Sequence, residues 1–266
     1  MTLPKVLTIA GSDSGGGAGI QADLKTFQEL DTYGLSVITA ITAQNTVGVQ
    51  AVHPVSLNGL NDQLESVFTD IKVDAVKTGM LVSADYIQSI STYIRDYNVN
   101  KLVIDPVLGS TSGSELTKNE AIDELKNSLW PLATVVTPNL IEAARMLGWA
   151  SINTVSEMEK AVYQLHEWGA KSILLKGGHL PGGESVDLLY DGHTLTHFPM
   201  KRIDQPHTHG TGCTLASAIA AGLAKGNSIH DAVSMAKDFV TCAIREGFSI
   251  GEGSGPLNHS AYRHRQ

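Results

Sequence analysis

The chain has little cysteine, no excess of positive charge and no long hydrophobic run. Its only two cysteines, Cys213 and Cys242, make no disulfide framework. No segment approaches the roughly 20 unbroken apolar residues that span a bilayer, and the first residues lack the apolar core of a signal peptide. Nothing in the sequence therefore indicates export or membrane insertion, and we expect a reduced, cytoplasmic protein.

The charge balance limits the partners of the protein. The formal net charge is −8 at pH 7, whereas binding to nucleic acid or to an anionic membrane surface needs an excess of Lys and Arg. We therefore expect a small-molecule partner, and any phosphate must be bound by a local site. The ten histidines are scattered, and His207 and His209 have no cysteine or acidic partner at metal-ligand spacing, so a zinc site is not predicted.

Apolar runs alternate with helical patterns along the whole chain. This order is typical of a mainly parallel sheet with helices on both faces, and because no long linker interrupts it, we expect one domain over residues 1–266. Two further strands are predicted to form a hairpin whose turn, Asp191-Gly192, has the type I′ signature. The predicted parallel strands are 6–10, 36–41, 75–79, 102–105, 134–137 and 172–176, and the hairpin strands are 186–190 and 193–198. The predicted helices are 18–31, 57–69, 83–97, 119–129, 139–147, 155–168, 211–225 and 229–247.

Residues suited to binding chemistry follow almost every predicted parallel strand. Ligands bind beyond the carboxyl ends of parallel strands, so these residues are expected to converge on one edge of the sheet. Glycine loops, a lysine and acidic residues at such an edge are the groups that hold a polyphosphate with Mg²⁺. Each residue alone also has a structural explanation, and Glu142 has the spacing of a capping-box partner of Asn139. The strand-end features are the loop 11–19, Gln44, Met80, Asp105, Asn139 and Lys176.

The segment 209–214, with the sequence HGTGCT, is the most informative of these features. It directly precedes a run of small residues that predicts a tightly packed helix. The free N–H groups and the peptide dipoles at a helix N-terminus favour an anion, and glycine lets that anion approach the main chain. The pKa of the Cys213 thiol is expected to lie below its free value there, so that the thiol can act as a base or nucleophile. The alternative is a helix cap with a small buried cysteine.

Two nucleotide-binding motifs separate the classes of function. No G-x-x-x-x-G-K-[ST] segment is present, so the chain is not a P-loop enzyme. Residues 17–22, GAGIQA, match the dinucleotide fingerprint G-x-G-x-x-A, but six residues separate Ala10 from Gly17, and the second unit lacks the required acid. A dinucleotide-binding oxidoreductase, or a non-catalytic nucleotide-binding module, remains the alternative from another class.

Four motifs in this order carry a resemblance to a known family. They are GSDSGGGAGIQADLK at 11–25, TPNLIEA at 137–143, LKGGH at 175–179 and HGTGCT at 209–214. With them, nearly the whole chain resembles the hydroxymethylpyrimidine and phosphomethylpyrimidine kinases of thiamine biosynthesis, in the ribokinase-like superfamily. The resemblance implies a three-layer α/β sandwich, ATP with Mg²⁺, and two successive phosphorylations of 4-amino-5-hydroxymethyl-2-methylpyrimidine by a homodimer.

The resemblance also implies a role for each motif residue. One group forms an anion hole for the transferred phosphoryl group, with cysteine where the sugar-kinase relatives have an aspartate base. A second group organises Mg²⁺ and contacts the ATP phosphates, and a third lines the acceptor pocket. The anion hole is Gly210, Thr211, Gly212 and Cys213; the metal group is Asp105 and Glu142; the ATP contacts are Asn139 and Lys176; the acceptor pocket is Gly11, Asp23, Gln44, Met80 and Val107.

Gln44 discriminates between acceptors within this family. One carboxamide both accepts and donates, so it can pair with the 4-amino group and the adjacent ring nitrogen of an aminopyrimidine. Pyridoxal has a ring hydroxyl and an aldehyde instead of the amino group, so Gln44 favours the pyrimidine. Pyridoxal kinase remains the alternative within the same fold, and an exposed polar residue after a strand remains the structural alternative.

Overall fold

A nine-stranded sheet forms the centre of the part of the chain that the computed structural model describes, residues 3–108, 119–178, 180 and 184–265. The strands are β1 (Lys5–Asp13), β2 (Tyr33–Asn45), β3 (Gly48–Pro54), β4 (Ala75–Thr78), β5 (Leu102–Ile104), β6 (Val135–Val136), β7 (Ile173–Leu175), β8 (Glu184–Tyr190) and β9 (Leu195–Lys201). Their order in the sheet is β3-β2-β1-β4-β5-β6-β7-β8-β9. The six strands from β2 to β7 in this order are parallel, whereas β3 is antiparallel to β2, and β8 is antiparallel to both of its neighbours.

Helices cover both faces of this sheet. They are α1 (Gly19–Glu29), α2 (Leu57–Asp70), α3 (Ala84–Asp96), α4 (Asn119–Glu124), α5 (Leu140–Leu147), α6 (Val155–His166), α7 (Thr211–Ala224) and α8 (Ile229–Arg245), and a 3₁₀ segment, His259–Arg265, follows. Fully buried residues of β1 alternate between two cores: Val6 packs with α1, α7 and α8, whereas Leu7 and Ile9 pack with α2, α3 and α5. This alternation is what a strand covered on both faces requires. The predicted α/β sandwich is confirmed.

Two predicted details of the strands are wrong. The strand at 36–41 is the middle of a longer strand, β2, whose extension pairs with β3, a strand that was not predicted. The hairpin turn between β8 and β9 is not type I′, because Gly192 has a φ of +90° but Asp191 does not have a positive φ. Instead, the Asp191 Oδ1 atom accepts hydrogen bonds from the backbone N–H groups of His193 (2.9 Å) and Thr194 (2.7 Å), which shapes a four-residue loop.

The helices follow the prediction more closely. The helix expected over 119–129 begins as α4 and changes to a π-helical turn at Leu125–Leu129. Every residue of α7 from Thr214 to Leu223 is buried, and most of these residues are small, as the sequence indicates. None of the described helices combines the length and apolar content that a bilayer crossing requires.

Candidate active site

The sheet opens a crevice where its connections change direction. The chain passes from β1 to β2 on one side and then to β4 on the other side of β1, and such a switch point separates the loops at the carboxyl ends. Gly11 and Met80 meet here, because a Cβ atom at Gly11 would lie only 2.5 Å from the Met80 Cε atom. Val107, half-buried, lies in a tight turn after β5, where its N–H donates to the Asp105 carbonyl (2.9 Å). Three residues predicted for the acceptor pocket therefore lie at the ends of adjacent strands.

Gln44 lies near the end of β2, at an irregularity in its pairing with β3. Its side chain is partly buried and lies within hydrogen-bond distance of two groups: the carboxamide nitrogen is 3.1 Å from His209 Nε2, and the carboxamide oxygen is 3.3 Å from Thr42 Oγ1. Because His209 directly precedes Gly210, this contact joins the residue predicted to read the acceptor to the loop predicted to bind phosphate.

The N-terminus of α7 presents free amide groups. Gly210 has a φ of +86° and lies so close to the carbonyl of Gly17 that no side chain would fit there. The helix starts at Thr211, and within the described chain the N–H groups of Gly212 and Cys213 have no hydrogen-bond partner. Two free amides at the positive end of a helix dipole form an anion site.

The thiol of Cys213 lies in a mixed electrostatic environment. Burial raises its pKa to about 11, and the nearby carboxylates of Asp23 and Asp105 act in the same direction. The positive charge of Lys77 and a hydrogen bond from the Gly19 amide lower the pKa, but they are outweighed. The expected lowering of the Cys213 pKa is therefore wrong, because desolvation of the thiolate and the two carboxylates outweigh Lys77 and the Gly19 amide.

Asp23 lies beneath the crevice and is fully buried. Its carboxylate accepts hydrogen bonds from Lys77 Nζ (3.0 and 2.9 Å), from Thr8 Oγ1 (2.6 Å) and from Ser217 Oγ (2.6 Å). Burial lowers the pKa of Lys77, but the charge of Asp23, the hydrogen bond to Asp23 and the neighbouring Cys213 and Asp105 together outweigh burial, so the pKa is raised and the ammonium stays charged. The structure thus shows Asp23 as the counter-ion of a buried lysine, and its role in the acceptor pocket stays a prediction.

Asp105 and Lys176 form an ion pair against the first turn of α7. Lys176 Nζ lies 3.0 Å from Asp105 Oδ1, which is also 3.3 Å from Thr137 Oγ1. A Cβ atom built at Gly212 would lie 3.3 Å from the ammonium and 3.7 Å from Asp105 Oδ2. Burial lowers the pKa of Lys176, but Asp105 and Glu142 more than offset it, so the pKa is raised. A permanent cation and a carboxylate therefore stand beside the free amides.

Asn139 and Glu142 form the capping box that their spacing indicated as an alternative. Asn139 Oδ1 accepts from the Glu142 N–H (2.9 Å), and Glu142 Oε2 accepts from the Asn139 N–H (2.8 Å) at the start of α5. Burial raises the pKa of Glu142 to about 7, and the charge of Asp105 adds to this, while Lys176 opposes it. Glu142 thus serves as a cap and also lies close enough to the Asp105–Lys176 pair to respond to its charges.

The N-terminus of α1 is already occupied by a side chain. The amides of Gly17 and Ala18 donate to Asp13 Oδ2 at 3.0 and 2.8 Å, so the groups that would bind a pyrophosphate in a dinucleotide fold are in use. In addition, β2 ends at Asn45 and not at an acid. These observations leave the oxidoreductase alternative without a binding site at the matched motif.

Two residues of the site were not predicted as such. Asp13 ends β1 and binds the loop that follows it, and His209 Nε2 lies 3.1 Å from Asp13 Oδ2 although the two residues are 196 positions apart. The only signal for Asp13 in the sequence is an acid between a strand and a run of glycines, and His209 enters the sequence analysis only as the first residue of the HGTGCT motif and as a candidate metal ligand. His179 of the LKGGH motif lies outside the described residues.

Comparison with known proteins agrees with this geometry. The family model described as "Phosphomethylpyrimidine kinase" matches residues 13–258. The chain is 47% identical over 264 residues to the hydroxymethylpyrimidine/phosphomethylpyrimidine kinase of Bacillus subtilis, covering 99% of this chain and 97% of that protein. Its fold matches an ADP complex of Bacillus subtilis pyridoxal kinase with a TM-score of 0.92 and 42% identity, covering 99% of this chain and 100% of that one.

A phosphomethylpyrimidine kinase from Clostridium difficile matches with a TM-score of 0.79 and 45% identity, covering 90% of this chain and 98% of that one. The likeness in both sequence and fold extends over almost the full length of these relatives. The chain belongs to the phosphomethylpyrimidine kinase family.

Proposed function

We propose that the protein transfers a phosphoryl group from ATP to 4-amino-5-hydroxymethyl-2-methylpyrimidine and then to the resulting monophosphate, in thiamine biosynthesis. The observation that carries this proposal is the meeting of the free Gly212 and Cys213 amides with the Asp105–Lys176 pair. Phosphoryl transfer requires mainly positioning and stabilisation of charge on the transferred group, and this arrangement supplies both.

Each group at the α7 terminus has a distinct task in this proposal. The amides of Gly212 and Cys213 accept the charge that develops on the transferred phosphoryl oxygens. The raised pKa of Lys176 keeps its ammonium group charged. When the nucleotide binds, this ammonium group turns from Asp105 to an ATP phosphate. Asn139 also contacts the phosphates, through the side-chain NH₂ group that the capping box does not use.

Asp105 and Glu142 are the residues that would hold Mg²⁺. The fit is adequate, because Mg²⁺ is commonly bound by one or two carboxylates together with phosphate oxygens and water. Among the described residues, Asp105 Oδ2 accepts no hydrogen bond and faces the α7 terminus. The ion would neutralise charge on the ATP phosphates. Within the described part of the chain, no group of three or more His, Cys, Asp or Glu side chains could hold a metal ion. The phosphate oxygens and water would therefore complete the coordination of Mg²⁺.

The acceptor lies against Gly11, Gln44, Met80 and Val107, and Cys213 lies where it can take the proton of the acceptor hydroxyl. Because the Cys213 thiol is protonated at neutral pH, with a pKa of about 11, it contributes as a base only in its minor thiolate form. Asp23 supports this pocket from below by fixing Lys77, whose charge favours the thiolate.

An assay of ADP release tests this proposal. Purified protein is incubated with Mg-ATP and, separately, with the aminopyrimidine alcohol and its monophosphate. We expect ADP with both acceptors and none without an acceptor. If neither the alcohol nor the monophosphate caused ADP release, the proposal would be contradicted.

Pyridoxal phosphorylation is a second candidate function. The observation that favours it is the TM-score of 0.92 to a pyridoxal kinase, which exceeds the 0.79 to the phosphomethylpyrimidine kinase from Clostridium difficile. The Gln44 carboxamide favours the aminopyrimidine, because it offers both a donor and an acceptor. The same ADP assay with pyridoxal separates the two.

We further propose that the protein is a cytoplasmic homodimer of single-domain subunits. The two free cysteines support a reduced compartment. Strand β3 is an open edge of the sheet, and Ile41 and Val47 beside it are 54% and 68% exposed, which supports association through this edge. Light scattering on the purified protein is expected to give twice the mass of the 28.3 kDa chain.

A further inference from the structure

The His209 side chain contacts the ends of two neighbouring strands, β1 and β2. Its Nε2 atom lies 3.1 Å from Asp13 Oδ2 and 3.1 Å from the Gln44 carboxamide nitrogen. A single ring nitrogen can donate one hydrogen or accept with one lone pair, but it cannot do both. The charge state of Asp13 therefore decides whether His209 Nε2 carries a hydrogen or a lone pair, and so which group it presents to the Gln44 carboxamide.

Asp13 is a carboxylate in this structure. Burial raises its pKa, but the hydrogen bond from His209 and the backbone amides of Ala18 and Gly15 outweigh burial, so that the pKa lies below its ordinary value. Three backbone N–H groups, those of Gly15, Gly17 and Ala18, donate to its two oxygens at 2.8–3.0 Å. An ionised carboxylate has only lone pairs, so His209 Nε2 must carry the hydrogen, whether the ring is neutral or protonated.

A hydrogen on His209 Nε2 determines which end of the Gln44 carboxamide can face it. An NH₂ group there would set two donors against each other. Turning the carboxamide by 180° about its last bond brings its oxygen to His209 and its NH₂ group to Thr42 Oγ1. Thr42 can accept, because its own hydroxyl donates to the Ser12 carbonyl at 2.9 Å. The one hydrogen on His209 Nε2 is then shared between Asp13 Oδ2 and the Gln44 oxygen, and the Gln44 NH₂ group meets Thr42 Oγ1. No two donors face each other, as a partly buried network requires.

We propose that His209, held by Asp13, is a positioning residue that fixes the direction of the Gln44 carboxamide and thereby the order of donor and acceptor that the acceptor pocket offers. One oxygen lone pair and one N–H of Gln44 stay available to a ligand. Their fixed order selects a ring that carries an exocyclic amino group beside an unprotonated ring nitrogen. The identity of the acceptor ring in this inference rests on the proposed function, whereas the position of the hydrogen on His209 does not.

Kinetics with matched variants test the positioning role. His209→Phe removes both ring nitrogens, and His209→Gln restores an N–H near the Nε2 position. His207→Phe is the matched control, because His207 Nδ1 accepts from the Gly255 N–H and does not touch Gln44. We expect His209→Phe to raise the KM for the aminopyrimidine about 10-fold, with kcat and the KM for ATP within about twofold. We expect His209→Gln to recover most of this loss and His207→Phe to behave as wild type.

A double-mutant cycle tests whether His209 acts through Gln44. In a Gln44→Leu background, His209→Phe should have no further effect on the KM for the aminopyrimidine. An unchanged KM in the single variant, or the same factor in both backgrounds, would overturn the positioning role.

The nitrogen-15 NMR spectrum of the ring tests the hydrogen-bond assignment without using activity. In histidine-labelled wild-type protein, with the His209 signals assigned by their loss in His209→Gln, we expect Nε2 to carry the hydrogen. A bare Nε2 with the hydrogen on Nδ1 would overturn the inference even in an active kinase. A wild-type protein that phosphorylates no aminopyrimidine would overturn the proposed function, and the ring spectrum would still decide the state of His209.

Discussion

Cys213 lies where opposing electrostatic effects act on one thiol. Lys77 and the Gly19 amide stabilise the thiolate, whereas burial and the carboxylates of Asp23 and Asp105 destabilise it. The result is a pKa of about 11 and a neutral thiol near pH 7. The HGTGCT motif therefore identifies where Cys213 lies, but its protonation depends on residues from other parts of the chain.

The two phosphorylations separate the possible roles of Cys213. The alcohol must lose a proton, whereas the monophosphate, with a second pKa of about 6, is already ionised. Cys213→Ala should therefore lower kcat for the alcohol by about 10²–10⁴-fold and affect the monophosphate much less. If the thiolate is the active form, kcat for the alcohol should rise by about tenfold per pH unit above neutrality, because the thiol pKa lies near 11.

Cys213→Ser is the control for this prediction, because serine keeps a side chain that can accept from the Gly19 amide but is a much weaker acid. Steady-state assays with each acceptor decide the matter. Equal losses in both steps would assign Cys213 to the loop conformation or the transferred phosphoryl group instead.

Gln44 provides the second prediction at this scale. Gln44→Leu removes both hydrogen bonds to the aminopyrimidine and keeps the volume, so the KM for this acceptor should rise by a factor equivalent to about 1–3 kcal/mol. Activity with pyridoxal should fall much less. Gln50→Leu is the matched control, because Gln50 is exposed and bonds to Asn45 and Gly48 of its own turn. Wild-type KM values for both acceptors in Gln44→Leu would remove Gln44 from the pocket.

Individual residues were predictable where a motif contains them and not where distant loops meet. Asp105, Lys176 and Gln44 follow strands, so their place at the sheet edge could be inferred from the strand pattern. The contacts of His209 with Asp13 and Gln44 span 196 and 165 positions, and no local signal indicates them. The burial of Asp23 was missed for the same reason, because its partner Lys77 lies 54 positions away.

At the scale of single elements, the start of α5 combines a helix cap with a candidate metal ligand. The two roles are separable, because glutamine at position 142 keeps the oxygen that accepts from the Asn139 N–H but lacks the charge.

Glu142→Gln should therefore retain thermal stability and weaken the apparent affinity for Mg²⁺, with partial rescue by excess metal. Asp105→Asn should show the same metal dependence. The measurement is the Mg²⁺ titration of activity together with the Tm of each variant. A lowered Tm with an unchanged Mg²⁺ titration would assign both residues to structure alone.

The 3₁₀ segment His259–Arg265 gives a pH-dependent contribution to stability. His259 is buried, with Nε2 3.0 Å from Thr214 Oγ1 of α7, and burial lowers its pKa from 6.5 to about 4. The unfolded chain binds the proton more tightly, so this contribution is complete above pH 6.5 and is lost as the pH falls toward 4. By the usual conversion it amounts to about 3 kcal/mol. Glu142, whose pKa is raised from 4.5 to about 7, has the opposite effect on stability, because its contribution is lost as the pH rises between these two values.

The test therefore compares how much stability wild type and a His259 variant lose on acidification. The free energy of unfolding is measured in urea at pH 7.5 and pH 5 for wild type and His259→Gln, which keeps an acceptor for Thr214 but does not titrate. Wild type should lose more stability on acidification than the variant does. Equal losses would mean that His259 is not held neutral in the folded state.

Regular elements could be predicted wherever a periodic pattern extended over several residues. Each of the six parallel strands and the eight helices overlaps with a predicted segment. Strand β3 was missed because most of the part of β2 that pairs with it, Ala40–Asn45, lies beyond the apolar pattern at 36–41. The turn type at Asp191-Gly192 was wrong because the Asp191 carboxylate shapes the loop through side-chain hydrogen bonds, which the dipeptide alone does not indicate.

At the scale of the whole molecule, the parallel topology brings residues from nearly the whole length of the chain to one edge. The ends of β1 and β2 meet the start of α7 through the contacts of Asp13 and Gln44 with His209. The loops after β5 and β7 meet it through Asp105 and Lys176. In the proposed function, the acceptor and the nucleotide therefore approach the same helix terminus from two sides. This convergence is the physical basis for assigning phosphoryl transfer to the site.

A competition experiment tests this assignment most directly. Purified protein receives Mg-ATP with equal concentrations of the aminopyrimidine alcohol and pyridoxal, and the phosphorylated products are separated and quantified over time. The account predicts pyrimidine monophosphate first and diphosphate second, with two ADP per pyrimidine consumed and little pyridoxal phosphate. Pyridoxal phosphate as the main product, or pyrimidine monophosphate that is never converted to diphosphate, would contradict it.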